Sequence, residues 1–235
     1  MLVVFPFEAE YYSKFGVEAE YVGHPLIKTI SNFLKNNQTG YPASNVKKIT
    51  LLPGSRNDEV KHHLPVLHET IRMLRKDFKI DLFISRAQAL SKDLFENLIH
   101  NIKDYEIIDS DLYTHINESD LVMTKAGTSS LECSLIGTPY LIFYKTYPVN
   151  YYLLKPFVKI KNIGIANILA GKNIIKEFIQ KDFTKENLYY ESKKILTDNN
   201  YIEEILKNLK HIWELLGSGD ASLNAAKIIN KLALA

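Results

Sequence analysis

Cysteine is nearly absent: Cys133 is the only one in 235 residues, which excludes an intramolecular disulfide. A lone thiol fits a reducing compartment. Its setting in the apolar stretch "SLECSLIG" predicts a buried, inert side chain rather than a nucleophile. Charge of one sign is not in excess either. The net charge of +2 provides no global attraction for a polyanion, so no nucleic-acid partner is expected. No apolar run reaches the ~18 residues a transmembrane helix needs. The opening "MLVVFPFEAEYY" lacks a basic n-region, and Glu8 and Glu10 follow its short apolar run at once, so it does not read as a signal peptide. Internal repeats and low-complexity tracts are also missing. Glycine and proline are sparse, at ten and eight residues, so their clustering at a few turns carries information.

The chain that remains has ordinary globular composition, 46% hydrophobic and 24% charged, and is long enough for one large domain with appendages. Residues 1–16 read as a short strand, "LVVF", and a helix closed by Gly16. "VEAEYVGHPL" gives a strand ending in Gly-His-Pro, with little before it to pair with. A short amphipathic helix over 26–35 leads into a loop over 36–46. From there strands and helices alternate. Strands are expected at 48–52, 80–85, 105–109, 120–124 and 139–144, with helices at 57–76, 88–103, around 112–118 and from 129 to Gly137. The pattern predicts an α/β fold: a Rossmann-like parallel sheet with helices on both faces, binding ligands at the C-terminal ends of its strands. No element is assigned to 163–184. Three amphipathic helices over 185–196, 200–216 and 220–234 form a C-terminal helical tail, with Asp220 able to cap the last.

Two strand–turn–helix units stand out, "LLPGSR" and "TKAGTSSLE". Each puts small residues and hydroxyls where a strand ends and a helix begins. Free N–H groups and the helix dipole attract anions there, and Arg56 adds a guanidinium able to hold phosphate with two donors. A surface Arg56 beside Asp58 and Glu59 is the alternative on this stretch alone. Glu132, one turn after Thr128, either accepts from two neighbouring ribose hydroxyls or forms a capping box with Ser129. Neither turn is a Walker A loop or a G-x-G-x-x-G fingerprint, so ATPase and dehydrogenase readings lose support.

Four blocks, "FPFEAEYYSKFGVEAEYVGHPL", "LLPGSRNDEV", "AGTSSLECSLIGTPYLIFYK" and "NILAGKNIIKEFIQ", follow one another as in the lipid A disaccharide synthase family, which this sequence resembles. The resemblance covers residues 1 to about 184 by motif and the tail by pattern. It implies the C-terminal, UDP-sugar-binding half of a two-Rossmann-domain (GT-B) glycosyltransferase. The organisation it implies is 1–22 as the end of an N-terminal acceptor domain, 23–184 as the UDP-sugar-binding domain, and 185–235 as C-terminal helices. The implied reaction transfers a hexosamine from UDP-2,3-diacylglucosamine to 2,3-diacylglucosamine 1-phosphate, releasing UDP, in lipid A and lipopolysaccharide biosynthesis. No cofactor and no metal are implied. The implied location is cytoplasmic, peripheral on the inner face of the bacterial inner membrane; a homodimer is left open. The family's proposed base is an aspartate in the other half, so no residue here matches that role. The chain is then a fragment, or a separate polypeptide supplies the acceptor domain. Another UDP-sugar GT-B transferase and a catalytically inactive UDP-binding remnant are the competing readings.

Roles follow from the resemblance. Arg56 would neutralise charge on the leaving UDP, and Asn167 matches an asparagine important for activity. Gly54 and Ser55 would lie against the diphosphate, and Gly127, Thr128 and Ser129 would hold phosphates. Glu132 would take the ribose hydroxyls, with Glu177 and Gln180 near the same cleft. Ala126 stands where the family commonly has Ser, and "IAN" replaces "LPN" before Asn167. His24 borders the cleft or is a hinge histidine satisfied by backbone. His62 and His63 read as helix-surface residues. "KTYPVNYYLLKPFVKIKN", with Lys145, Lys155, Lys159 and Lys161, suits an anionic membrane interface or a helix with its lysines in water.

Overall fold

A computed structural model describes residues 1–37, 45–146 and 162–234. The stretch 147–161, most of the basic-aromatic segment, lies outside the described residues.

Five strands of the expected series form: β3 (Val46–Leu52), β4 (Lys79–Ser85), β5 (Tyr105–Ile108), β6 (Leu121–Lys125) and β7 (Tyr140–Tyr144). A sixth, β8 (Glu177–Ile179), completes the edge in the segment that carried no assignment. All neighbours pair in parallel. The sheet order is β5-β4-β3-β6-β7-β8. Counted by appearance within the sheet this is 3-2-1-4-5-6, the doubly wound order whose direction reverses between its first and fourth strands. That switch point falls between β3 and β6. Residues 121–124 and 140–143 are buried on both faces, as parallel strands covered on both sides must be.

The crossovers are α3 (Asn57–Leu74), α4 (Lys92–Ile99), α5 (Leu112–Glu118) and α6 (Thr128–Ile136). Right-handed crossovers on either side of the switch point place them on opposite faces. The helix α4 is shorter than the 88–103 expected; Leu90 and Ile102, just outside its ends, are buried in turns closed on Ala87 and Ile99. A short helix α7 (Ile165–Ala170) precedes β8. The three final helices are α8 (Lys185–Thr197), α9 (Asn199–Leu216) and α10 (Ala221–Ala233). The first two pack back on the sheet's helices: α8 on α3, and α9 on α6 and α7. Ile205, Leu209, Ile212 and Leu216, spaced three or four apart along α9, are all buried.

Residues before the sheet form β1 (Leu2–Val3), α1 (Pro6–Ser13) and β2 (Glu20–Tyr21), with β1 and β2 paired in parallel as a separate sheet. The next helix is α2 (Pro25–Asn36). The returning C-terminus holds this region. Tyr21 Oη donates to the Leu216 carbonyl at 2.6 Å, Asn224 Nδ2 to the Val22 carbonyl at 3.0 Å, and Lys28 pairs with Asp220 at 2.5 Å.

Candidate functional site

An open cleft of ≈ 490 Å³ lies at the C-terminal ends of β3, β4, β5 and β6. Its floor is the switch point. Pro53, Gly54 and Ser55 enter from the β3–α3 turn, and Ala126, Gly127, Thr128 and Ser129 from the β6–α6 turn. Both expected turns therefore meet in one cavity. No side chain caps the N-terminus of α3 or of α6, so their first N–H groups are left for a ligand or water. Glycine is required at both turns. Gly54 has φ +128 and Gly127 φ +156, and a Cβ at Gly54 would lie 2.8 Å from Glu59 Oε2.

The helix start settles the two readings of Glu132 in part. Gly127 is the N-cap of α6, so Ser129 and Glu132 form no capping box. Ser130 Oγ donates to the Gly127 carbonyl at 2.7 Å instead. Glu132 does not line the cleft. It sits one turn along α6, where its Oε1 accepts from Tyr113 Oη at 3.0 Å. Burial raises the Glu132 pKa above its usual range, and the Tyr113 hydrogen bond pulls the other way.

Arg56 stands at the rim rather than in the floor. Its side chain is 81% exposed, with Nη1 3.6 Å from Glu59 Oε1. The sequence reading missed two cations that do line the cleft, Lys125 and Arg86. Lys125, the last residue of β6, is only 21% exposed and sits 3.0 Å from Glu59 Oε1. It was hidden because the turn was read for its small residues. Arg86 and Asp109, paired at 2.8 Å, form the far wall, with Ser110 and Asp111 beside them.

Three further expected site residues, Asn167, Glu177 and Gln180, are not brought to this cleft. Asn167 is wholly buried. Its Oδ1 accepts from the N–H groups of Ile174 and Ile175 at 2.8 and 2.9 Å. Its Nδ2 donates to the Ile175 carbonyl at 2.8 Å and to Glu177 Oε1 at 2.6 Å. Both the oxygen and the nitrogen of the amide are thus occupied within the fold. Glu177 is likewise occupied: its carboxylate accepts from the N–H groups of Ile163 and Gly164 at 2.9 and 3.0 Å, at the start of α7. Gln180 follows β8 in the left-handed region, φ +53, and its Oε1 accepts from Thr146 N at 3.3 Å. All three organise the β7–β8 edge.

The histidines divide. His24 is the N-cap of α2, its Nδ1 accepting from Leu26 N at 3.2 Å, which is the backbone-satisfied reading. His62 keeps to the outer face of α3, but His63 does not: it is fully buried. Nearly two turns into α3, it is drawn into the core against Phe143 and Phe183. Pro53 offers only a carbonyl, so Nδ1 donates to it at 2.6 Å, while Nε2 accepts from Lys145 N at 3.1 Å. Desolvation lowers the His63 pKa. Cys133 is buried and free, and burial pushes its thiol up, as an inert core residue requires. No group of three metal-binding side chains occurs among the described residues.

A doubly wound parallel sheet with an open cleft at its switch point defines the class: a Rossmann-like unit. Solved structures share that fold. WaaG, a glycosyltransferase involved in lipopolysaccharide biosynthesis, matches with a TM-score of 0.54 at 15% identity, over 96% of this chain and 60% of its own. The S. aureus MnaA–UDP co-structure matches with a TM-score of 0.59 at 13% identity, over 96% of this chain and 57% of its own. More specifically, the chain belongs to the lipid-A-disaccharide synthetase family, whose model matches residues 1–229. The lipid-A-disaccharide synthase of Syntrophotalea carbinolica is 31% identical over 99% of this chain and 60% of its own length. That of Geobacter metallireducens is 32% identical over 97% and 61%. The chain thus spans about 60% of the length of these relatives.

Proposed function

We propose that this chain is the UDP-sugar-binding half of a lipid A disaccharide synthase. The supporting observation is the convergence of two uncapped helix N-termini, behind glycine turns, at the switch point of a chain in that family. The diphosphate of UDP-2,3-diacylglucosamine sits over Gly54, Ser55, Gly127, Thr128 and Ser129. Arg56 swings in from the rim to meet the charge that develops on the leaving group. Glu132 takes the ribose hydroxyls in place of the Tyr113 hydroxyl. Preorganised donors at the leaving group are this half's contribution to catalysis.

The acceptor, diacylglucosamine 1-phosphate, is taken by an acceptor domain to which residues 1–22 belong, while 23–184 bind the UDP-sugar and 185–235 support them. That domain supplies the base. Acyl chains on both substrates place the reaction at the inner face of the inner membrane; a homodimer is compatible with this reading.

Calorimetry with UDP tests the site: the 235-residue chain is expected to bind UDP weakly, and no binding at millimolar UDP removes the reading. Activity tests the division of labour. Losing a positioned base costs about 10²–10⁴-fold, so the chain alone should form almost no disaccharide, and a separately expressed acceptor domain should restore some. A normal rate from the isolated chain would overturn the assignment of the base to the other domain.

A further inference from the structure

We infer that Lys125 is a ligand of the diphosphate, held ready by Glu59, so that the cleft floor carries its own cation in addition to Arg56 at the rim. The inference rests on the UDP reading and deepens it. The Lys125 stem runs between the two glycine turns. A Cβ built on Gly54 would lie 3.6 Å from Lys125 Cδ, and one on Gly127 3.9 Å from Lys125 Nζ. Glycine at both turns leaves the ammonium approachable from the cleft it lines.

Glu59 fixes the ammonium. Its side chain is nine-tenths buried, and Oε1 lies 3.0 Å from Lys125 Nζ. The other oxygen, Oε2, is buried with no hydrogen-bond partner among the described residues. A half-satisfied buried carboxylate is costly, so stability alone does not account for it; orienting the ammonium does. An ammonium has three N–H donors. Its ion pair with Glu59 holds the ammonium at the cleft it lines, where its donors can meet a ligand. With the uncapped starts of α3 and α6 at the same cleft, the ammonium completes a donor set suited to a ligand that carries oxygens on two linked centres, as a diphosphate does. A lysine already held in place loses less side-chain freedom on binding than an exposed one.

The test is calorimetry of the 235-residue chain with UDP, uridine and inorganic pyrophosphate, for the parent, Lys125→Gln and Lys125→Ala, with circular dichroism melts to establish folding. UDP and pyrophosphate affinities are expected to fall about 10–100-fold, the scale of a hydrogen bond to a charged group. Uridine affinity should hold, and the salt dependence of UDP binding should weaken. Glu59→Gln, which keeps an acceptor for the ammonium, should retain pyrophosphate binding that Glu59→Ala loses. Unchanged UDP and pyrophosphate affinity in folded Lys125 variants overturns the inference and leaves the UDP reading standing. A parent that binds pyrophosphate through Lys125 but neither UDP nor uridine supports the ligand and overturns the UDP reading. A parent that binds none of the three overturns both.

Discussion

Asn167 Nδ2 lies 2.6 Å from Glu177 Oε1, and through that contact one buried amide ties α7 to β8 at the edge of the sheet. Neither group reaches the cleft. Removing the amide strands the N–H groups of Ile174 and Ile175 and one contact of a carboxylate. Asn167→Ala is therefore expected to cost about 2–4 kcal/mol of stability, the scale for breaking a buried polar network. Urea unfolding measures it. An unchanged midpoint would mean that the amide is not structural and would return it to the chemistry.

Gly54→Ala should be damaging for two reasons in one place. At φ +128 an L side chain is strained, and its Cβ would press on Glu59 Oε2 at 2.8 Å. About 1–3 kcal/mol is expected from the backbone alone, together with weaker UDP binding as Glu59 is pushed off Lys125. Parallel unfolding and UDP titrations of the variant report the two effects separately. A variant as stable as the parent would contradict the turn geometry.

Arg56→Ala should separate binding from stability. With 81% of its side chain exposed, Arg56 contributes little to the fold, within about 0.5 kcal/mol. UDP affinity should drop by about 1–3 kcal/mol if the guanidinium meets the diphosphate. Equal UDP affinity in variant and parent removes Arg56 from the site.

Acid should destabilise the protein through His63. Burial lowers its folded pKa below the 6.5 of an exposed histidine. The unfolded chain then binds the proton more readily, so stability is present above pH 6.5 and is lost as pH falls from there towards the folded pKa. His24, lowered for the same reason, adds the same sign. Glu132, raised by burial, opposes both at lower pH. Comparing unfolding midpoints between pH 7.5 and 5.5 in the parent and His63→Gln isolates His63, and the variant should show the smaller loss. Identical slopes would place the proton elsewhere.

Local sequence determined a great deal here. Apolar runs at strand length alternating with helical spacing set five strands and four crossovers, and glycine at two strand ends set the turns that line the cleft. Those are short-range choices, made by φ/ψ limits and side-chain period. The family motifs in those turns were legible for the same reason. Tertiary structure decided which polar side chains line the cleft. Asn167, Glu177 and Gln180 read as site residues, but their hydrogen bonds go to one another and to backbone around the β7–β8 edge, contacts with no local signature. The same pairing made a strand of Glu177–Ile179, too short to announce itself. His63 read as surface because its helix is polar there, yet Phe143 and Phe183 close over it from far along the chain. Lys125 ended an unremarkable strand until Glu59, 66 positions earlier, turned its ammonium into the cleft. Periodicity fixes the face a side chain takes, whereas its partner is fixed only when distant segments pack, because a buried charge or amide must be satisfied by whatever that packing brings.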